Sequence, residues 1–329
     1  LVWVGFALSS LAIATFLALF DFGQVYASLL QVRLWVLPVA AAVFLASYAV
    51  RTWRWKLLLA PLGNFPFGVC RDVLLTGFMV NNLVPARAGE LARALALWRV
   101  TGASRRGSLA TVGIERLFDG MVLIAILSVI GLFFDVPSWA RQLGHAMTVM
   151  LACLAGLAGW LAFHHRSLFW AIEKVLLFFL PARISRKVTT FIERFVGGTR
   201  SLRSPGLMAG VLLLTCTVWA MEVTVYTLVM RGFGIALPPW AAAIALVATN
   251  FGIAVPSGPA HVGVYEAALG GALIGLGVDK ERALSYAIGM HLLLFVCITT
   301  TGLLLMWRLG LRLGDLTGRH AAKNAKAAS

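Results

Sequence analysis

Asn81-Asn82-Leu83-Val84-Pro85-Ala86-Arg87-Ala88-Gly89-Glu90-Leu91-Ala92-Arg93 breaks an otherwise apolar segment with two amides, a proline, a glycine and three charged side chains. In a soluble protein this mixture is an ordinary surface loop. In a bilayer it is costly, because a charge at the centre of a spanning helix costs roughly 2.5–3.5 kcal/mol on insertion scales. Irregular backbone at that depth persists only where protein covers it or a watery cavity solvates it. The fold therefore turns on whether the rest of the chain belongs in a membrane.

The composition says that it does. Of 329 residues, 60% are hydrophobic and 12% charged, and mean hydropathy is +0.89. Soluble domains are nearer half apolar and a quarter charged. The 28 Lys and Arg against 13 Asp and Glu give a formal charge of +15. These cations cluster between apolar runs, which is the positive-inside pattern of cytoplasmic loops and suits anionic lipid headgroups. Membrane lipid, not nucleic acid, is the expected partner. Cys70, Cys153, Cys216 and Cys297 form no Cys-x-x-Cys pair, so no metal, cofactor or disulfide framework is expected. The chain has no Gly-x-Ser-x-Gly, His-Glu-x-x-His or phosphate-cradling Gly-Lys loop. No catalytic residue is assigned, and the protein is not expected to be an enzyme.

Outward from the break, apolar runs at about 1–20, 34–56, 109–134, 146–163, 207–230 and 282–307 predict six spanning helices. The run at 1–20 is counted as a span, although Val25-Tyr26-Ala27 weakly resembles a signal-peptidase site. Two further segments are apolar but interrupted. One covers about 69–98 and breaks at Pro85, and the other covers about 239–277 and breaks at Pro256 and Pro259. Residues 164–204 form a basic linker, within which 168–180 predict an interfacial amphipathic helix, and 310–329 form a basic tail.

Placing the basic segments in the cytoplasm fixes the topology. Loops at 51–56, 99–106 and 164–204, with both termini, then lie inside, and the poorly basic links at 21–33, 135–144 and 231–238 lie outside. Every loop is satisfied only if each interrupted segment enters and leaves on one side. The expected fold is an all-α integral membrane protein of about six spans and two oppositely oriented re-entrant helical hairpins. A first half (1–163) and a second half (205–309) become inverted repeats within one polytopic domain, an arrangement common in transporters.

Each constellation of polar residues has two readings. Arg87, Glu90 and Arg93 recur at a three-residue spacing and share a helix face, with Asn81 and Asn82 placed to bond backbone freed at Pro85. They either receive a lipid headgroup or form an internal ion-pair network that holds the break together. Glu115 and Asp119 share a face, and Arg116 can pair with Asp119. That group either locks its span to the hairpin or contacts substrate. Arg51 and Arg54 are expected as interface anchors or the rim of a cavity. Glu222, alone in an apolar run, needs an interior partner and is a proton or cation site or is paired with an arginine. In the second hairpin Asn250, His261, Tyr265 and Glu266 are the candidates, with Glu266 the stronger and His261 a titrating gate or a cap. His291 reads equally as a packing residue.

The run from Asn82 to Arg93, followed by Glu115-Arg116-Leu117-Phe118-Asp119, resembles the flippase-like transmembrane domain of lysylphosphatidylglycerol synthases. Arg51-Thr52-Trp53-Arg54-Trp55 upstream, and Pro256-Ser257-Gly258-Pro259 and Gly263-Val264-Tyr265-Glu266 downstream, are similar in order and spacing. The resemblance implies movement of lipids between leaflets of a bacterial cytoplasmic membrane, including phospholipid, aminoacyl-phospholipid or, as in some stand-alone members, hopanoid. The synthases also carry a cytoplasmic aminoacyl-transferase domain, for which this chain has no room, so that activity is not expected. Two other functions remain open. One is a proton- or ion-coupled transporter of a small polar solute, and the other is a scaffold for a lipid-modifying enzyme.

Overall fold

The computed structural model describes residues 2–84, 88–153, 205–254 and 257–316, and these are helical throughout apart from turns and short connections. Residues 1, 85–87, 154–204, 255–256 and 317–329 lie outside the described set. The predicted helix at 168–180, Pro85, Arg87 and Pro256 therefore also lie outside it.

The chain begins with α1 (Val2–Leu19) and α2 (Phe22–Leu30). Asp21 caps α2 by accepting from the amides of Gly23 and Gln24 and from the Gln24 side chain. Those bonds, the Gln24 side chain first, hold its carboxyl below the usual range. The long helix α3 (Val36–Leu59) follows, then a 3-10 turn at Ala60–Leu62. The first interrupted segment resolves into α4 (Phe67–Leu83) and α5 (Ala88–Thr101). Helix α4 stops where the sequence requires. Val84, ahead of Pro85, is extended at φ −120° and ψ 128°, as clash with a following proline ring dictates.

Helix α6 (Arg105–Phe133) is followed by helical residues 138–153, here α7. After the undescribed linker come α8 (Pro205–Gly232), α9 (Pro239–Gly252), a 3-10 turn at Pro259–His261, and α10 (Val264–Gly275). Helix α11 (Lys280–Arg308), capped by Asp279, and the short α12 (Leu313–Leu316) complete the described chain. The order long helix, two short helices, long helix thus occurs twice, as α3–α6 and α8–α11.

Four of these helices are long and apolar enough to cross a membrane: Val36–Leu62, Arg105–Phe133, Gly206–Gly232 and Lys280–Arg308. Of the other two expected spans, the first is α1, of 18 residues, and the one at 146–163 is described only as far as 153. The long helices keep apolar side chains on their outer faces. On α11 these are Leu292, Val296, Leu304 and Trp307, and on α8 Leu212 and Leu213. Such stripes suit lipid.

Contacts divide the chain into two compact units, Leu1–Glu115 with Leu213–Ser329, and Arg116–Leu212. Both interrupted segments fall in the first. There α11 is the central helix, packing most extensively on α4 and also on α10, α2 and α3. The approach to α4 is close because Gly302 lacks a side chain: a Cβ there would collide with that of Met79. Within the second unit Gly131 and Gly144 let α6 and α7 meet backbone to backbone.

Candidate functional site

The inward face of α3 starts the site. Ser47, Tyr48, Arg51, Arg54, Trp55 and Leu58 recur every three or four residues and are all buried. Arg51 is 6% exposed and Arg54 is fully buried, so neither is exposed as an interface anchor would be. The Trp53–Lys56 side of the same turn faces outward instead, with the Lys56 ammonium 5.5 Å from the Trp53 ring. The tryptophan–basic run thus contains two faces of one helix: an interfacial one, and a charged one turned inward.

Arg51 reaches Glu222 on α8 at 2.8 Å, where Ser47 also donates a hydrogen bond. The guanidinium carbon lies 5.4 Å from each of the Tyr48 and Trp219 ring centroids. One turn on, Arg54 lies 3.2 Å from Glu115 and donates to Thr215. Glu115 also takes a forked pair of bonds from Arg93 of α5, at 2.7 and 3.3 Å. Arg93 stacks over Trp55 with its guanidinium carbon 3.8 Å from the ring centre, and the Trp55 indole donates to Thr111. Of the two readings of Glu222, the structure shows the arginine pairing, with Arg51. Glu115 and Arg93 tie the α4–α5 pair to α6. In a low-dielectric interior, paired charges of this kind hold elements in register, and removing one partner leaves the other uncompensated.

The α4–α5 pair is also closed by its backbone. The Gly89 N–H donates to Asn81 Oδ1 at 2.7 Å, satisfying an amide at the start of α5. A Cβ at Gly89 would run into the carbonyl oxygen of Gly77. Asn82 donates to Thr299 of α11 at 3.1 Å, and Glu90 is half-buried on α5. Arg116 and Asp119 pair at 3.6 Å within the second unit, the three-residue spacing read from the sequence.

The second cluster is built on α10. Glu266 Oε2 accepts from the Gly263 N–H at 2.7 Å, which caps the helix. Its Oε1 lies 2.5 Å from Nδ1 of His291 on α11. Tyr265 stacks on the His291 ring at 4.2 Å between centroids, and its hydroxyl is 3.2 Å from that of Tyr226 on α8. Tyr286 donates to the Tyr226 carbonyl. Asn250 turns back on its own helix, donating to the Leu246 carbonyl. His261 is 2.6 Å from Ser257, and Gly258 donates to Ser9 of α1. Ala260 and His261 adopt φ of 53° and 60°, a region costly for residues with a Cβ.

The sequence left Ser47 and Tyr226 without roles, His291 open between packing and function, and Trp55 in an interfacial run. A period places a residue on a face but names no partner across the fold. The two interrupted pairs meet, because the 3-10 turn at Pro259–His261 packs against α4 and both pairs pack on α11. Among the described residues no cluster of three or more His, Cys, Asp or Glu could hold a metal ion.

A family described as the lysylphosphatidylglycerol synthase TM region matches residues 2–302, which include both interrupted pairs and both clusters. Together with the long apolar helices, this makes the chain a multi-pass membrane protein of a lipid-related family. No curated protein matches it.

Proposed function

We propose that this chain, which belongs to the lysylphosphatidylglycerol synthase TM region family, moves a polar-headed lipid between the two leaflets of a bacterial cytoplasmic membrane. One observation carries the reading: two interrupted helix pairs meet inside one compact unit, the turn of the second against a helix of the first. Irregular backbone at membrane depth is tolerated where protein covers it or where it lines a watery cavity, and discontinuous helices of this kind form the substrate sites of many transporters. In this reading both pairs are re-entrant. The α4–α5 pair opens to the cytoplasm, where both termini also lie, and the α9–α10 pair opens to the outside as its inverted counterpart. Arg87, Glu90, Asn81 and Asn82 then serve the inner side of a headgroup pathway, and Asn250, His261, Tyr265 and Glu266 the outer side. The acyl chains stay in lipid, and no covalent bond is made or broken.

The test is reconstitution of the full chain in phosphatidylethanolamine–phosphatidylglycerol vesicles containing a trace of headgroup-labelled fluorescent phosphatidylglycerol. Bleaching of the outer leaflet then reports movement. The protein is expected to make inner-leaflet label accessible well ahead of protein-free vesicles, and equal rates overturn the reading. A second reading, ion-coupled movement of a small polar solute, draws on the part-buried Glu266–His291 pair. Gradient-dependent solute uptake without lipid movement would favour it.

A further inference from the structure

Among the described residues six acidic side chains are buried: Asp72, Glu115, Asp119, Glu222, Glu266 and Glu281. Five meet arginine or lysine. Asp72 meets Arg71, Glu115 meets Arg54 and Arg93, Asp119 meets Arg116, Glu222 meets Arg51, and Glu281 meets Lys280. Arginine keeps its proton at any working pH. Glu266 instead meets a histidine, His291, the side-chain type whose charge ordinarily changes between about pH 5 and 8. We propose that the Glu266–His291 pair is a proton-binding site that couples lipid movement to a proton gradient. The proposal rests on the lipid-translocating reading above.

The surroundings leave a proton as the charge this site can exchange. Groups facing the pair are phenols: Tyr265 stacked on the imidazole, Tyr226 from α8 bonded to Tyr265, and Tyr286 from α11 bonded to Tyr226. Glu222, one turn from Tyr226 on α8, is held by Arg51. His261 in the 3-10 turn is engaged with Ser257. Helices α1 and α9, which also pack on α10, contain no Asp, Glu, Lys, Arg or His. On helices packed against α11, Arg51 and Arg54 are held by Glu222 and Glu115, and Arg71 faces Asp72 together with Arg308 of α11 itself.

Proton counting follows from the contact. The Glu266 Oε1–His291 Nδ1 contact holds one hydrogen, on whichever of the two atoms. Without a second proton at Nε2 the pair would have a net charge of −1. A proton taken at Nε2 turns the hydrogen bond into an ion pair and makes the site neutral, and its release restores the charge. The other carboxylate oxygen holds the Gly263 amide at the start of α10. Proton occupancy therefore bears on the turn that carries the strained Ala260 and His261 and touches α4. A charge change is thereby connected to the junction of the two helix pairs.

The experiment uses the same vesicles and labelled phosphatidylglycerol, with a pH dye in the lumen and an imposed difference of about one pH unit. One proton per lipid across one unit supports up to about a tenfold leaflet imbalance, since each 1.4 kcal/mol is a factor of ten. Wild type is expected to move the label from even distribution toward that ratio, with lumenal pH changing alongside, and a protonophore should abolish both. His291→Gln and Glu266→Gln should lose the imbalance and the linked pH signal. Label that moves but stays evenly distributed in wild type overturns the proton site and leaves lipid translocation standing. A full imbalance in His291→Gln overturns it equally. Label that does not move under any condition overturns the translocation reading, and this inference with it. The wild-type arm decides even where a variant fails to fold.

Discussion

The two interrupted helix pairs are closed by different chemistry. The first is bolted. Gly77 and Gly89 bring its backbones together, Asn81 caps its second helix, and Arg93 ties it to Glu115, which Arg54 also holds. The second is latched. Its helix start depends on Glu266, that carboxylate depends on His291, and its turn contains two residues in a left-handed conformation. Permanent cations hold the first joint, whereas a histidine and a strained turn hold the second. If one pair holds still while the other moves, this difference says which is which.

Removing the anion of the bolted pair should have the largest effect. Glu115→Gln leaves the Arg54 and Arg93 guanidiniums buried around a neutral amide. Orphaning one side of a buried pair costs about 3–5 kcal/mol. Thermal unfolding of the purified chain in detergent should show the largest drop in midpoint of any variant named here. A drop no greater than that of Glu266→Gln would erase the distinction between bolt and latch.

Gly89→Ala comes next. The added methyl meets the Gly77 carbonyl and the Asn81 side chain, and the backbone carbonyl cannot rotate away. The α4–α5 pair must separate, at about 1–3 kcal/mol for overpacking of this kind. A cysteine pair across the helices that crosslinks in wild type should crosslink less in the variant. Unchanged crosslinking and stability would mean that the close approach contributes little.

The bolt was more legible in the sequence than the latch, for a physical reason. A proline within an apolar run announces a break, and the restraint it places on Val84 ends α4 one residue earlier. The Arg116–Asp119 pair is local, so spacing alone gave it. Arg51 and Glu222 are 171 positions apart, so spacing could show only that Glu222 required some interior partner. Arg51 and Arg54 read as interface anchors or a cavity rim because tryptophan and lysine surround them, yet in one helical turn the inner and outer faces alternate. His291 has no polar neighbour nearby on its own helix. Only the packing of α10 on α11 sets Glu266 against it.

Glu266→Gln should be a milder change than Glu115→Gln. The amide oxygen can still accept from Gly263 or from His291, and no buried arginine is left behind. A loss of about 0.5–1.5 kcal/mol is expected, the net value of an ordinary hydrogen bond. Thermal unfolding in detergent should show a midpoint drop well short of that of Glu115→Gln. An unchanged midpoint would show that the latch adds nothing to stability.

The smallest effect should come from Ala260→Gly, and its sign is the informative part. At φ 53° an alanine pays for its Cβ by roughly 1–2 kcal/mol, whereas glycine does not. Against that, glycine adds chain entropy to the unfolded state, worth about 0.5–1 kcal/mol. The balance is a gain of about 0.5–1 kcal/mol, read as a small rise in midpoint. A relaxed turn should also weaken the connection between Glu266 and α4, so the stabilised variant is expected to move lipid more slowly. A variant that is both more stable and equally fast would show that the strain at Ala260 has no part in the motion.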